Sequence, residues 1–282
     1  MICAKLLIPS FEEDGTPAYT ANKIVQLFKT ECTKIFPYRP WYKKPLDLEE
    51  PEFSRAGLHE ILKKYLGDTP ISSSIKEILI PAAEMKTGKP WWFTKTKVIT
   101  DPKFSKVNPE DAKNIKLIDI IEGSTAAPTY YGDKEIMIGN TDYHFMDGGT
   151  FSNNPTSMAV TYAESLFGTT RPKIVACFGT GETISGIPGA HNCKGGLFYW
   201  GRNFANATLN LTSDNVENEM RLKFPATGKD QNLFIFQPEL SEEDDSVSDT
   251  SEAHMTRLED CAKKMIINQR DEIDNLCKKL RT

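Results

Sequence analysis

The run His144-Phe-Met-Asp147-Gly148-Gly149-Thr-Phe-Ser-Asn153-Asn154-Pro155 gathers residue types that can do chemistry at short spacing. The residues before Asp147 predict a strand that delivers the aspartate to its end. Two glycines then let the chain turn sharply with no side-chain obstruction, and Asn154-Pro155 restarts a helix. Strand ends in an open α/β sheet are where ligands and catalytic groups gather. The same run also fits an Asx-turn aspartate followed by permissive glycines, and D-G-G alone favours that plainer reading.

The elements that must position this run are legible as periodicity. Thr20 predicts a cap for a helix over roughly 21–35, with Ile24, Val25, Phe28 and Cys32 on one face. A second helix over Phe53 to Leu66 carries Leu58, Ile61, Leu62 and Leu66 on one side. Ile78-Leu-Ile80 and Trp91-Trp-Phe93 flank Lys86-Thr87-Gly88, which reads as a hairpin turn. Asn108-Pro109 opens a helix through Ala112, Ile115, Ile118 and Ile121. A strand ends at Phe145-Met146, and Lys173 to Phe178 reads as an apolar strand before Gly179-Thr-Gly181, a turn more than a phosphate loop. The acidic tract Ser241 to Asp249 reads as a solvated loop. Asp249 with Glu252 offers a cap for a long C-terminal helix through Met255, Leu258, Ala262, Met265, Ile273, Leu276 and Leu280. Strands alternate with helices throughout, which predicts an α/β fold.

Composition narrows the partners. The 282 residues carry 34 basic against 39 acidic side chains, a net charge of −5, so no basic excess exists to hold nucleic acid. No apolar run approaches the length of a membrane span, and the N-terminus lacks the basic start and cleavage site of a signal peptide. Six cysteines at 3, 32, 177, 193, 261 and 277 include no C-x-x-C pair, which fits a reduced, cytoplasmic protein with peripheral membrane contact left open. The sequons at Asn206 and Asn210 then read as chance matches. His59, His144, His191 and His254 show no ligand spacing, so neither a metal nor another cofactor is expected. Trp41, Trp91, Trp92 and Trp200 read as packing residues before they read as an acyl pocket.

A second segment changes the weight of the aspartate. Glu122-Gly-Ser-Thr-Ala126-Ala127-Pro128-Thr129-Tyr130-Tyr131 precedes the D-G-G run, and Gly179-Thr-Gly181 follows it. These three motifs, in this order, resemble the patatin-like phospholipase family. Weaker likenesses at residues 62–72, at the Lys86–Gly88 hairpin and at Phe236-Gln-Pro238 extend the resemblance over roughly residues 20–282. The resemblance implies a three-layer αβα sandwich and lipid acyl-ester hydrolysis by a Ser–Asp dyad. The base would be Asp147, turned by Gly148 and Gly149, and the substrate a lipid or phospholipid. It implies one domain over 1–282, with the aspartate in a part spanning about 1–190 and a helical cap over about 191–282.

The family also implies a serine in a G-x-S-x-G elbow and a glycine-rich oxyanion loop. No serine of this chain stands in that pattern; Gly123-Ser124-Thr125 and Ile184-Ser185-Gly186 come nearest. In the family both elements lie upstream of the region matching Ala21–Pro37. Met1 to Ile8 therefore reads as the tail of the helix after the elbow, and the chain is expected to be N-terminally truncated by at least one βαβ unit. Loss of central strands would expose apolar surface on Lys173–Phe178, so the 282-residue product is expected to self-associate or be poorly soluble. A clean monomer in size-exclusion chromatography would count against this. The competing reading is a patatin-fold pseudoenzyme that binds lipid or a relative without hydrolysis.

Overall fold

The computed structural model describes residues 16–38, 50–183, 197–244 and 246–281, with backbone alone at 197–206 and 242. The expectations for Met1–Ile8, Trp41, Ser185, His191, Cys3 and Cys193, and for the side chains of Trp200 and Asn206, lie outside the described residues. The fold is mixed α/β, as expected, and divides into two compact units, Met1–Asn153 and Asn154–Thr282.

The first unit is built on a five-stranded sheet of β1 (Leu79–Glu84), β2 (Lys89–Thr94), β3 (Val98–Ile99), β4 (Lys134–Ile138) and β5 (Thr141–Asp147). Their order is β3-β2-β1-β5-β4, with every pairing antiparallel. The β1–β2 hairpin turns where expected, with Gly88 at a φ of 64° that favours glycine. Trp91 and Trp92 are both buried: Trp91 packs on Tyr143 and Phe145, and Trp92 on Phe151, so both tryptophans are packing residues.

Helices α1 (Ala21–Ile35) and α2 (Ala56–Leu66) accompany the sheet. Thr20 caps α1, its Oγ1 accepting from the Lys23 N–H at 3.3 Å, and α2 buries the four expected residues. The buried face of α1 is rotated from the expected one. It comprises Ile24, Leu27, Glu31, Cys32 and Ile35, while Val25 is exposed. A hydrophobicity pattern excludes Glu31, yet its carboxylate is satisfied there by Lys64 Nζ at 2.7 Å, Tyr65 OH at 2.8 Å and Lys34 Nζ at 3.1 Å.

Those three partners hold Glu31 down to about 2 from an ordinary 4.5, with Lys64 contributing most. A carboxyl lowered on folding stabilises the fold fully above its ordinary value and loses that contribution as pH falls toward the folded one. Stability contributed by Glu31 is therefore expected to disappear between about pH 4.5 and 2. Urea midpoints of Glu31→Gln, measured from pH 7 to pH 2.5, should start below wild type and converge on it through that window. Parallel curves would assign the acid loss to other groups.

The helix expected to run unbroken from Pro109 is two helices, α3 (Pro109–Asn114) and α4 (Leu117–Ser124). Asn108 caps α3 as expected. The chain breaks at Ile115–Lys116 because backbone pairing to the segment at 69–71 competes with the helix: the Ile71 N–H donates to Ile115 O and the Leu117 N–H to Thr69 O, each at 2.9 Å. The apolar side of α4 then packs with α2 and the sheet around Ile61, Trp91, Phe93 and Phe145.

The second unit holds α6 (Thr156–Phe167), α7 (Leu197–Lys223), α8 (Glu252–Asn268) and α9 (Arg270–Lys279). The short helix α5 (Gly149–Ser152) closes the first unit. Two parallel pairs, β6 (Val175–Phe178) with β8 (Leu233–Phe236) and β7 (Glu182–Thr183) with β9 (Glu239–Leu240), complete the second unit. Gly179-Thr-Gly181 is the turn between β6 and β7. Strand β6 alternates instead of being buried on both faces. Val175 and Cys177 pack with Val160, Met220 and Leu233, whereas Ala176 is exposed and Phe178 stacks on Phe236 with 74% of its surface open. Among the described residues β6 pairs only with β8.

The C-terminal helix also departs from expectation. It divides at Gln269, and its cap is Ser251, whose Oγ accepts from the His254 N–H at 3.3 Å. Asp249 instead accepts from the Ser251 N–H. The acidic tract is not wholly solvated: Asp244 is buried, taking Arg257 Nε and Ser241 Oγ, each at 2.6 Å.

Candidate active site

Asp147 is the last residue of β5, opposite Ala82 of β1. Its N–H donates to Ala126 O at 3.0 Å, and the Gly148 N–H donates to Ser124 O at 3.3 Å. The segment Glu122–Tyr131 and the D-G-G run, separate in sequence, are thus joined through backbone at the carboxylate. Thr129 in that segment has a φ of 72°, costly for a β-branched residue. Donation from the Glu52 N–H to Thr129 O and from the Phe53 N–H to Tyr130 O holds the conformation. The bend sends Tyr130 and Tyr131 toward Phe36 and Phe53, so one end of the motif cradles Asp147 and the other anchors it in the core.

Tyr131 is the anchor's polar tip. Its hydroxyl donates to Ile35 O at 2.9 Å, and burial pushes the phenol up to about 12. Tyr131→Phe leaves that carbonyl without its partner and is expected to cost about 1–2 kcal/mol, read as a fall in urea midpoint at unchanged slope. An unchanged midpoint would mean that water replaces the hydroxyl.

Gly148 has φ −65° and ψ −24°, a conformation open to any residue. Its role is therefore not conformational freedom. A Cβ there would lie 2.3 Å from Pro81 O, so glycine is needed for close approach of the turn to β1. The Gly149 N–H donates to Asp147 Oδ1 at 2.7 Å, and Thr150 Oγ1 donates to Asp147 O at 2.6 Å as α5 begins. In the second unit, Asn154 Oδ1 accepts from the Thr156 N–H and hydroxyl at 3.2 and 2.7 Å, opening α6 as the sequence predicts.

Electrostatically Asp147 differs from the buried carboxylates elsewhere among the described residues. Glu31 and Asp244 are ion-paired, Glu122 meets Lys134 and His59, and Glu84 accepts from Lys86, Thr87 and His144. Asp147 is half-buried with no ion pair among the described residues, and the Gly149 N–H is the only donor to its side chain there. Burial pushes its carboxyl above the ordinary aspartate range, and the Gly149 N–H opposes that only in part. Oδ2 is left to accept a proton, which is the state a general base requires. His144 stands three residues earlier on the strand, hence on the opposite face, bound to Asp133.

A recess of about 570 Å³ lies elsewhere in the first unit, lined by Arg55, His59, Lys63, Glu122 and Lys134 among others. Glu122 is buried in its wall, with Oε1 2.8 Å from His59 Nδ1 and Oε2 2.6 Å from Lys134 Nζ. Lys63 and Lys134 are paired with Asp68 and Asp119, Arg55 donates to the Glu122 and Gly132 carbonyls, and the recess shares no lining residue with the Asp147 turn.

The sequence named Asp147, Gly148 and Gly149, and the structure places all three in one turn. It missed the carbonyls of Ser124 and Ala126 and the backbone of Pro81, which carry no side-chain signature. Motif order was the one signal that could have pointed to them.

Comparison with known proteins gives the same region a relationship. Residues 17–160, which include both motifs around Asp147, match the family model "Patatin-like phospholipase". Patatin-like protein 1 of Arabidopsis thaliana is 24% identical over 95% of this chain and 70% of its own length. A cGAMP-activated phospholipase of Escherichia coli is 30% identical over 49% of this chain and 36% of its own length. A probable inactive patatin-3-Kuras 1 of Solanum tuberosum is 24% identical over 57% and 40%.

Proposed function

This chain belongs to the patatin-like phospholipase family, and from that premise we propose that it serves phospholipase A-type hydrolysis of lipid acyl esters with Asp147 as the general base. The observation that carries the reading is the half-buried Asp147 carboxylate, held by one N–H and no cation among the described residues.

In this mechanism a serine Oγ attacks the acyl carbonyl carbon while its proton passes to Asp147 Oδ2. The carboxyl then returns the proton to the leaving alcohol oxygen, leaving an acyl-serine. A water deprotonated by the same carboxylate attacks the acyl carbon, the serine Oγ–acyl bond breaks, and the proton passes to Oγ as the fatty acid leaves. Burial of Asp147 matters here because a base above the ordinary aspartate range holds the transferred proton better. No serine of these 282 residues stands in the G-x-S-x-G pattern, and the proposal places the nucleophile outside them. The same observation favours a second reading, a patatin-fold protein that binds lipid without cleaving it.

One experiment separates the two. The protein isolated from its source cells is weighed intact, treated with a fluorophosphonate probe and assayed on phospholipid vesicles. Labelling and fatty-acid release by a species containing the Asp147 peptide support hydrolysis. Saturable lipid binding without labelling supports the second reading, and absence of both overturns the two together.

A further inference from the structure

Glu135, Asp142 and His144 each offer one ligand atom, and these atoms lie within 4.8 Å of one another. The β4–β5 ladder sets this geometry. Glu135 is directly opposite His144, and Asp142 lies two residues before His144 on the same face of β5. Rigid strand backbone thus presents one imidazole and two carboxylates together.

The orientation of His144 is fixed from outside the trio. Asp133 Oδ2 lies 2.5 Å from His144 Nδ1. A carboxylate there is an acceptor, so Nδ1 carries the hydrogen and Nε2 faces the trio. A carboxylate clamped on the far nitrogen is the usual support of a metal-binding histidine. Nε2 is 3.6 Å from Asp142 Oδ2. That is too long for a hydrogen bond, and close to the roughly 3.4 Å between two ligands about 2.0–2.1 Å from one tetrahedral ion. The Lys86 ammonium already sits on Asp142 Oδ2, so the cluster attracts positive charge from its own chain.

We propose that Glu135, Asp142 and His144 form a site for a divalent borderline metal ion, with Zn²⁺ the best fit to one nitrogen and two carboxylate oxygens. The ion would bridge β4 and β5, the strand that ends in Asp147. It must displace the Lys86 ammonium from Asp142.

The test is titration of the reduced full chain with Zn²⁺ in a non-coordinating buffer, followed by calorimetry. One ion per chain is expected, with affinity lowered roughly tenfold or more by His144→Ala and raised by Lys86→Met, which removes the competing ammonium. Zinc-edge X-ray absorption on the wild type guards against a variant that fails to fold: a nitrogen and oxygen shell with one imidazole supports the site. No binding at about 100 µM Zn²⁺, a sulfur-dominated shell from cysteine, or unchanged affinity in His144→Ala overturns it.

Discussion

Asp147→Asn is expected to lower esterase turnover roughly 10²–10⁴-fold in the active protein while leaving the fold at least as stable as wild type. The two halves of this expectation have one cause. The amide keeps an oxygen to accept the Gly149 N–H, so the turn retains its hydrogen bond, but it removes the proton acceptor. It also removes a charge that burial disfavours. A carboxyl raised on folding contributes stability below its unfolded value and loses it as pH rises through the folded one. The Asn variant should therefore gain most over wild type at pH 8, and the gap in thermal midpoint should close toward pH 4. Turnover within about twofold of wild type would remove Asp147 from the mechanism. A collapsed melting transition would instead make the residue a structural Asx aspartate, the plainer reading of D-G-G.

What the sequence made legible follows how local each determinant is. Thr20 and Asn108 cap their helices because each cap spans only from the capping residue to the N–H three positions on. The face of α2 follows from spacing alone. The face of α1 does not, since Lys64 and Tyr65 of another helix decide that Glu31 goes inside. Likewise the break at Ile115 is made by pairing with Thr69 and Ile71, more than 40 residues away. The cap chosen at Ser251 reflects a competition among neighbouring acidic and hydroxyl residues that composition does not resolve. The candidate site divides the same way. Asp147 stands out by residue type and motif order, but the contacts that hold it run through main-chain carbonyls, which leave no mark in side-chain identity. The juxtaposition of Glu135 with His144 depends on strand register, and histidine spacing along the chain carries no trace of it.

Register also underlies the second large effect, at Gly148. The sequence suggests a glycine chosen for freedom of turning, yet its φ of −65° is one that alanine adopts without strain. Gly148→Ala therefore isolates contact from conformation. Its new Cβ would meet Pro81 O at 2.3 Å, Pro81 C at 2.6 Å and Pro81 Cβ at 2.7 Å. Two of these are backbone atoms of β1, which ladder bonds on both sides restrain from yielding. The expected cost is about 3 kcal/mol, the upper range for overpacking, seen as a large drop in urea midpoint. Gly149→Ala provides the contrast, because its Cβ would lie 3.1 Å from Asp147 Oδ1 and strike no backbone. It should leave stability nearly unchanged while shifting the carboxylate, and so lower turnover in the active protein. Equal stability losses in the two variants would show that the glycines share one conformational role after all. A stable Gly148→Ala would mean that the strand end and β1 separate easily, and that the carboxylate is held less firmly than its backbone contacts imply.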